Sequence, residues 1–500
     1  MRMSKTIRAL VAGVSIFSMA ACAPGGPPTG QPQTVAQRSA SDQRIGDENH
    51  PKLVAQFGGE VKDQAQKDYV NRIGRRLAAK SEQPNAKWTF TVLDSPVVNA
   101  FALPGGYIYV TRGLMALANS EAELAAVVGH EIAHVTAAHG SQRQRQAGIA
   151  QIGVLAATIG AAVLGAGSQS VQAINQLGGT LGQGYVASHS REDEFEADQL
   201  GVRYLARAGY DPSAASDFLS ALQEETTLQA KIAGGSYNPN RVDFLATHPA
   251  TAQRVREASR VAATEVAAKG APRNQAAHLR IVDGMVYGDS AEQGFVDGRT
   301  FSHPKLRFTF TMPNGFRIRN SSSQVTATGP NGSGIIFDGD KYQGGSMDAY
   351  IARTWAPAIA QQAQTGRLDN LRRRSINGMA AASASLPVQT RQGVRILRLT
   401  AIRKGDTVYR FLGVQPEGAN QLGRRMDRAA GSFSSLSAAQ ASRLKPLRIK
   451  VHTVRQGETI RSLAQKMPVQ GFKADRFRVL NGLKPREGIK PGDKVKLIVR

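Results

Sequence analysis

Residues 130–134 read His-Glu-Ile-Ala-His, and this spacing is suited to metal chemistry. Side chains four residues apart on an α-helix share a face one turn apart, so His130 and His134 can bind one ion. Glu131 can reach a water on that ion, which makes it the candidate general base. Residues Ser120–Glu123 predict a capping box at the start of this helix. We therefore expect one catalytic zinc ion here, the alternative being a surface histidine pair without metal.

Two histidines do not complete a catalytic zinc site, which needs three protein ligands and a fourth position for water. His139 follows His130 by nine residues, and on a continuing helix it would face the opposite side and could not bind the same ion. A metzincin would need a glycine three residues and a histidine six residues after His134, where this chain has Ala137 and Gly140. The sequence excludes that class.

A second candidate source of ligands is the acidic segment 191–198, Arg-Glu-Asp-Glu-Phe-Glu-Ala-Asp. Glu194 and Asp198 share one face of a predicted helix, whereas Glu196 points elsewhere. One carboxylate can bind zinc while the other accepts a hydrogen bond from the second nitrogen of a histidine ligand. The alternative is a solvated acidic helix face. The spacing alone leaves open which carboxylate would be the ligand.

Residues Val128–Val135 together with Glu194–Asp198 resemble the HtpX and CAAX-prenyl-protease family of zinc metalloendopeptidases, which are gluzincins, and most closely its periplasmic lipoprotein type. The resemblance covers residues 50–270 and implies a mainly α-helical (α+β) zincin domain with a short sheet. It assigns a role to five residues: zinc on His130, His134 and Glu194, Glu131 as the general base, and Asp198 behind the ligands.

His248 stands in Thr-His-Pro and looks like a His-Pro pair that members of this family often carry. A histidine just ahead of a helix start could stabilise transition-state charge, or it could occupy the fourth zinc position and silence the site. It could equally be a structural histidine. These alternatives stay open.

The strands predicted before the metal helix are 88–93 and 107–110, with a Gly- and Pro-rich turn predicted over 99–106. The second strand is well placed to be a sheet edge that pairs with an extended peptide. An ordinary core strand is the alternative.

The N-terminus predicts a signal peptide over residues 1–21, with basic residues followed by a short apolar run. It ends in Met-Ala-Ala-Cys, which resembles a bacterial lipobox. Cys22 is the only cysteine, so no intrachain disulfide can form, and it is the predicted lipidation site for membrane attachment. The resemblance to a lipobox implies a lipoprotein of the cell envelope that faces the periplasm, and Ala23 favours the outer membrane. Residues 22–49 are expected to be a flexible tether.

The chain has 500 residues, which predicts two to four domains, and a net charge of +25. Residues 441–500 hold 16 Lys/Arg and 4 Asp/Glu, a net +12. Such charge suits an anionic membrane, an acidic wall polymer or a nucleic acid, and the expected compartment excludes the last. The apolar segment 148–167 is expected to be a buried or membrane-skimming helix rather than a spanning one.

The multidomain organisation continues after the predicted metalloprotease domain at 50–270. We expect a connector over 271–299, an α+β accessory domain of unknown role over 300–435, and a linker over 436–449. Residues 450–500 predict a βααβ unit that resembles a LysM domain, a module that holds N-acetylglucosamine-containing glycans such as peptidoglycan. A LysM-like module that binds no sugar is the alternative.

The resemblances together imply a zinc-dependent metalloendopeptidase of the bacterial cell envelope. It would cleave polypeptide substrates in protein quality control, with peptidoglycan as a further partner of residues 450–500. The alternative is a mainly non-proteolytic chaperone or peptidoglycan-anchored binding factor with a latched or vestigial metal site.

Overall fold

The computed structural model describes residues 35–140, 189–232, 248, 252–265 and 270–500, apart from 362, 364, 391, 392 and 485. The predicted signal peptide, Cys22 and the apolar segment 148–167 lie outside these residues. Within the described part of the chain, no helix is both long and apolar enough to cross a membrane. Helices and four sheets alternate along it, so the chain as a whole is not mainly helical.

The metal motif lies in a region of helices with one small sheet. Its helices are α1 (Val35–Gln56), α2 (Gln64–Ala78), α3 (Arg112–Leu117), α4 (Glu121–Thr136), α5 (Arg191–Arg207), α6 (Ala214–Ile232), α7 (Ala252–Thr264) and α8 (Gln275–Val282). Its strands are β1 (Thr89–Leu93), β2 (Ala100–Leu103) and β3 (Tyr107–Thr111). Strand β3 is central, parallel to β1 and antiparallel to β2.

The expectation that the strand before the metal helix forms a sheet edge is wrong. Strand β3 has a partner on each side, and all five of its residues are buried. The cause is strand β2, which lies where we expected a turn. It forms because Phe101 and Leu103 are buried in an apolar cluster under α1. The ordinary core strand is the alternative that the structure shows.

Local signals set the start of two helices. The Asp63 side chain accepts hydrogen bonds from the first backbone amides of α2, whose buried stripe includes Tyr69, Ile73 and Leu77. At α4 the Ser120 hydroxyl accepts from the Glu123 amide, as the predicted capping box requires. The Glu123 carboxylate, however, accepts from the amide of the residue before Ser120.

Helix α1 covers the second part of the segment 22–49 that we expected to be a flexible tether. Its last turns have apolar partners, because Leu53 and the adjoining Phe57 are buried against Phe101 and Tyr109. His50 Nδ1 also lies 2.8 Å from the hydroxyl of Tyr109. The composition of residues 22–49 indicated a tether because composition gives no sign of contacts with residues distant in sequence.

The accessory region contains two sheets that the predicted α+β class anticipates. The four-stranded sheet, in the order β15-β7-β6-β5, consists of β5 (Phe295–Asp297), β6 (Thr300–His303), β7 (Phe308–Thr311) and β15 (Ser434–Ser435). The seven-stranded sheet, in the order β11-β12-β13-β14-β10-β9-β8, consists of β8 (Arg317–Asn320), β9 (Val325–Thr328), β10 (Gly334–Lys341), β11 (Asp369–Ile376), β12 (Met379–Thr390), β13 (Gly393–Lys404) and β14 (Thr407–Pro416).

Side chains alternate across the larger sheet and give it two apolar faces. Phe337 and Phe411 pack with the smaller sheet and with α11 (Asn420–Gly431). The opposite face packs on a helical segment made of α9 (Met347–Tyr350), a π-helical turn (Ile351–Trp355) and α10 (Ala356–Ala360).

The C-terminal residues form the expected βααβ unit. It consists of β16 (Leu447–Thr453), α13 (Ile460–Gln465), α14 (Lys473–Leu480) and β17 (Lys494–Val499), and β16 and β17 are antiparallel. The segments expected to be connector and linker also contain regular structure. The connector includes α8 and β4 (Val286–Tyr287), which extends the sheet of this unit by pairing with β16, and the linker includes α12 (Ala438–Arg443).

Candidate metal centre

Helix α4 presents the motif histidines on one buried face. His130 and His134 are 5% and 3% exposed, and their Nε2 atoms lie 3.0 Å apart. Helical spacing alone accounts for this pair. Glu131 is also buried.

Helix α5 supplies a carboxylate to the same point. Glu194 Oε2 lies 3.5 Å from His130 Nε2, and Glu194 Oε1 lies 3.4 Å from His134 Nε2. The helix begins at a capping box between Ser190 and Asp193, which places Glu194 in its first turn. The structure thus brings together the two histidines and one of the two candidate carboxylates.

His248 joins this group from a distant part of the chain. Its Nδ1 lies 2.8 Å from Glu194 Oε1 and 3.2 Å from His130 Nε2, and its side chain is buried. One donor atom from each of His130, His134, Glu194 and His248 lies within 4.8 Å of the other three.

Two glycines set the distance between the helices that carry these groups. Gly129 in α4 faces Gly201 in α5, and a Cβ at Gly201 would lie 3.0 Å from the backbone nitrogen of His130. Because neither glycine has a side chain, the two backbones come close enough for one glutamate to reach both imidazoles.

Asp198 lies on the other side of the His130 ring, with Oδ1 3.0 Å from His130 Nδ1. Arg254 in α7 holds it through two hydrogen bonds of 2.7 Å, and a third nitrogen of Arg254 lies 2.7 Å from Glu194 Oε2. Arg254 is fully buried and positions both carboxylates. The sequence patterns did not point to Arg254. Its only local signal is that a charged residue stands on the buried face of α7, which also carries Ala258 and Val261.

The surroundings set the protonation of these groups. Burial disfavours charge on His130, but its two carboxylate partners raise its pKa to about 9. Burial lowers the pKa of His134 well below its usual value. Burial opposes charge on Glu194, but the surrounding histidines lower its pKa far below the usual range. Burial raises the pKa of Glu131, which favours a group that exchanges a proton.

This set of donors fits a zinc ion. Imidazole nitrogens and a carboxylate oxygen are the ligands of catalytic zinc sites. Glu131 supports the fit, because both of its carboxylate oxygens are buried without a hydrogen-bond partner among the described residues. His248 Nε2 lies 3.5 Å from its Oε1. A buried carboxylate in this state needs a donor such as water.

His139 and His189 also lie at this centre. The prediction that His139 lies on the far side of a continuing helix is wrong, because α4 ends at Thr136 and Ala138 adopts a left-handed conformation. His139 contacts His134 on the face opposite Glu194, outside the group of four donors. The ring of His189 stacks on that of His134 at 3.7 Å between centroids. Nothing in the sequence patterns indicated His189.

An HExxH helix paired with a glutamate from a second helix defines the gluzincin class of zinc metallopeptidases. Residues 64–262 match the family model "Peptidase family M48", and residues 452–497 match the model of the LysM domain. The chain thus contains a zinc metallopeptidase domain of family M48 and a LysM domain, which confirms both resemblances.

Relatives with known names match the same part of the chain. The beta-barrel assembly-enhancing protease of Yersinia pestis is 32% identical over 38% of this chain and 37% of its own length. That of Escherichia coli is 30% identical over 40% and 39%. The mitochondrial metalloendopeptidase of Schizosaccharomyces pombe is 30% identical over 38% and 51%. The chain therefore spans about two-fifths of its bacterial relatives' length.

Proposed function

We propose that this protein is a zinc-dependent metalloendopeptidase of the bacterial cell envelope that cleaves polypeptides in protein quality control. The single observation that carries the proposal is the four-donor group beside Glu131, whose carboxylate has no hydrogen-bond partner in the described part of the chain. His130, His134 and Glu194 are the proposed zinc ligands, and Asp198 positions His130 through Nδ1.

The chain's own groups account for the proton transfers of peptide hydrolysis. Zinc, when bound, supplies Lewis acidity that polarises a carbonyl and acidifies water. Glu131 accepts the proton of the attacking water as its oxygen bonds to the carbonyl carbon. Glu131 then donates that proton to the amide nitrogen as the carbon–nitrogen bond breaks. The raised pKa of Glu131 suits a group that must hold this proton between the two steps.

The location belongs to the same proposal. The signal peptide over residues 1–21 and Cys22 support export and lipid attachment, with the outer membrane as the favoured site. The two bacterial relatives are named for enhancing beta-barrel assembly, which supports envelope polypeptides as substrates. The LysM domain and the net +12 charge of residues 441–500 support peptidoglycan as a partner.

His248 favours a second candidate, in which the same site is latched. Its Nδ1 lies among the proposed ligand atoms, so it can take the position that catalysis requires for water. A latched protein would act mainly as a chaperone or a wall-anchored binding factor until His248 is displaced.

The test compares the full chain with its Glu131→Gln variant on an unfolded polypeptide such as casein. We expect the wild type to cleave, to lose activity with a zinc chelator and to regain it with added zinc. Glu131→Gln should keep its zinc and lose about 10²–10⁴-fold in rate, the usual contribution of a general base. Cleavage by the variant at the wild-type rate would refute the assignment.

A further inference from the structure

We propose that His139 is a positioning residue, which holds His134 in the tautomer that directs its Nε2 towards zinc. The inference rests on the proposed zinc site but concerns the face of His134 that points away from it. His134 Nδ1 lies 2.9 Å from His139 Nδ1, and His139 Nε2 lies 3.2 Å from Glu196 Oε2.

When both imidazoles are neutral, these contacts suit one arrangement of protons. Glu196 is a carboxylate and only accepts, so His139 donates to it from Nε2–H. A neutral His139 then has a lone pair on Nδ1, which accepts the hydrogen bond from His134 Nδ1–H. With its proton on Nδ1, His134 has its lone pair on Nε2, the nitrogen that faces Glu194.

The other motif histidine is oriented in a different way. His130 Nδ1 meets the buried carboxylate of Asp198, which Arg254 holds in place. His134 instead has an imidazole as its direct partner, and the carboxylate one step further, on Glu196, has a side chain that is 60% exposed. Both imidazoles thus have an Nδ1 partner, but only that of His130 is an anion.

The backbone is shaped to bring His139 to this position. Helix α4 ends at Thr136, and Ala138 has a φ of +59°, in the left-handed region that residues other than glycine rarely adopt. Just after this residue His139 is buried, with 3% of its surface exposed. Such a conformation persists where surrounding contacts hold it.

A second metal ion is the competing explanation, because one donor atom from each of His134, His139 and His189 lies close together. An imidazole that ligates zinc through Nε2 and carries its proton on Nδ1 has no second lone pair to offer. The stoichiometry of bound zinc therefore distinguishes the two explanations, with one ion per chain expected here.

The experiment measures zinc affinity of the full chain by competition with a chromophoric chelator, together with unfolding of the metal-free protein. His139→Phe keeps a ring but removes the acceptor, whereas His139→Asn places an oxygen close to the position of Nδ1. We expect His139→Phe to weaken zinc binding about 10–100-fold, the usual effect of losing such a partner. His139→Asn should recover most of that affinity.

Two acidic residues of α5 give a matched pair. Glu196→Ala should weaken zinc binding less than His139→Phe, and Glu192→Ala, an exposed neighbour on the same helix, should leave it unchanged. Unchanged affinity in His139→Phe would overturn the inference, as would equal losses in the Phe and Asn variants or a second zinc ion that both variants lose. If the wild type binds no zinc, or His134→Ala retains it, the proposed function itself fails.

Discussion

Lys496, in the last strand of the chain, donates a hydrogen bond to the carbonyl oxygen of Ala118, 2.7 Å away, just ahead of the metal-bearing helix. Its ammonium group is fully buried and also contacts the carbonyls of Ala116 and Leu117. These carbonyls belong to the end of α3, where helical partners run out. The LysM domain therefore completes the backbone hydrogen bonding of the peptidase domain.

Replacing Lys496 with Met should lower the free energy of unfolding by about 1–3 kcal/mol, because the carbonyls of Ala116 and Ala118 lose this donor inside the protein. Lys494→Met is the matched control, since Lys494 lies two residues away on the same strand and is exposed. Denaturant titration of both variants measures the difference. Equal stability of the two would show that the buried contacts contribute nothing.

Gly201→Ala should damage the metal centre without touching a ligand. The added methyl would lie 3.0 Å from the nitrogen and 3.1 Å from the Cα of His130, so α4 and α5 must separate. We expect a loss of about 1–3 kcal/mol in stability, as for other overpacked sites, together with weaker zinc binding. Gly431→Ala in α11, where a Cβ meets nothing within 4 Å, should be neutral.

His248→Ala should raise the rate of casein cleavage and weaken zinc binding if His248 occupies the fourth position. This is the outcome we expect, because its Nδ1 lies 3.2 Å from His130 Nε2 and 2.8 Å from Glu194 Oε1. Cleavage rate and zinc content are measured on the same preparation. A slower enzyme with full zinc content would instead identify His248 as a group that stabilises the transition state.

His278 should make stability fall in mild acid. Its ring is buried and contacts the Tyr69 hydroxyl and the carbonyl of Met115. Burial lowers the pKa of His278 from 6.5 to about 3. Between these values the unfolded chain binds a proton that the folded chain does not, so stability is full above pH 6.5 and falls towards pH 3. From pH 7 to pH 5 the loss is about 2 kcal/mol.

Denaturant titrations of the wild type and His278→Gln at both pH values isolate this contribution, because other groups titrate alike in the two proteins. The variant should show a shallower dependence on pH, whatever its absolute stability. The same dependence in both proteins would assign the effect to other groups.

The sequence by itself determined the local parts of this protein. His130, Glu131 and His134 share a helix, so their relative placement follows from 3.6 residues per turn. The same reasoning predicted the start of α4 at Ser120 and the βααβ order at the C-terminus, because capping residues and turn residues act over a few positions.

Only the tertiary structure decided how distant groups meet. Helical spacing left Glu194 and Asp198 equivalent, and the close approach at Gly201 sets one beside the Nε2 atoms and the other beside Nδ1 of His130. Arg254 and Lys496 were not recognised, because a buried charge has no local signature and depends on partners far along the chain. His139 was misplaced because the end of α4 is set by a left-handed turn at an alanine, a residue that gives no such signal.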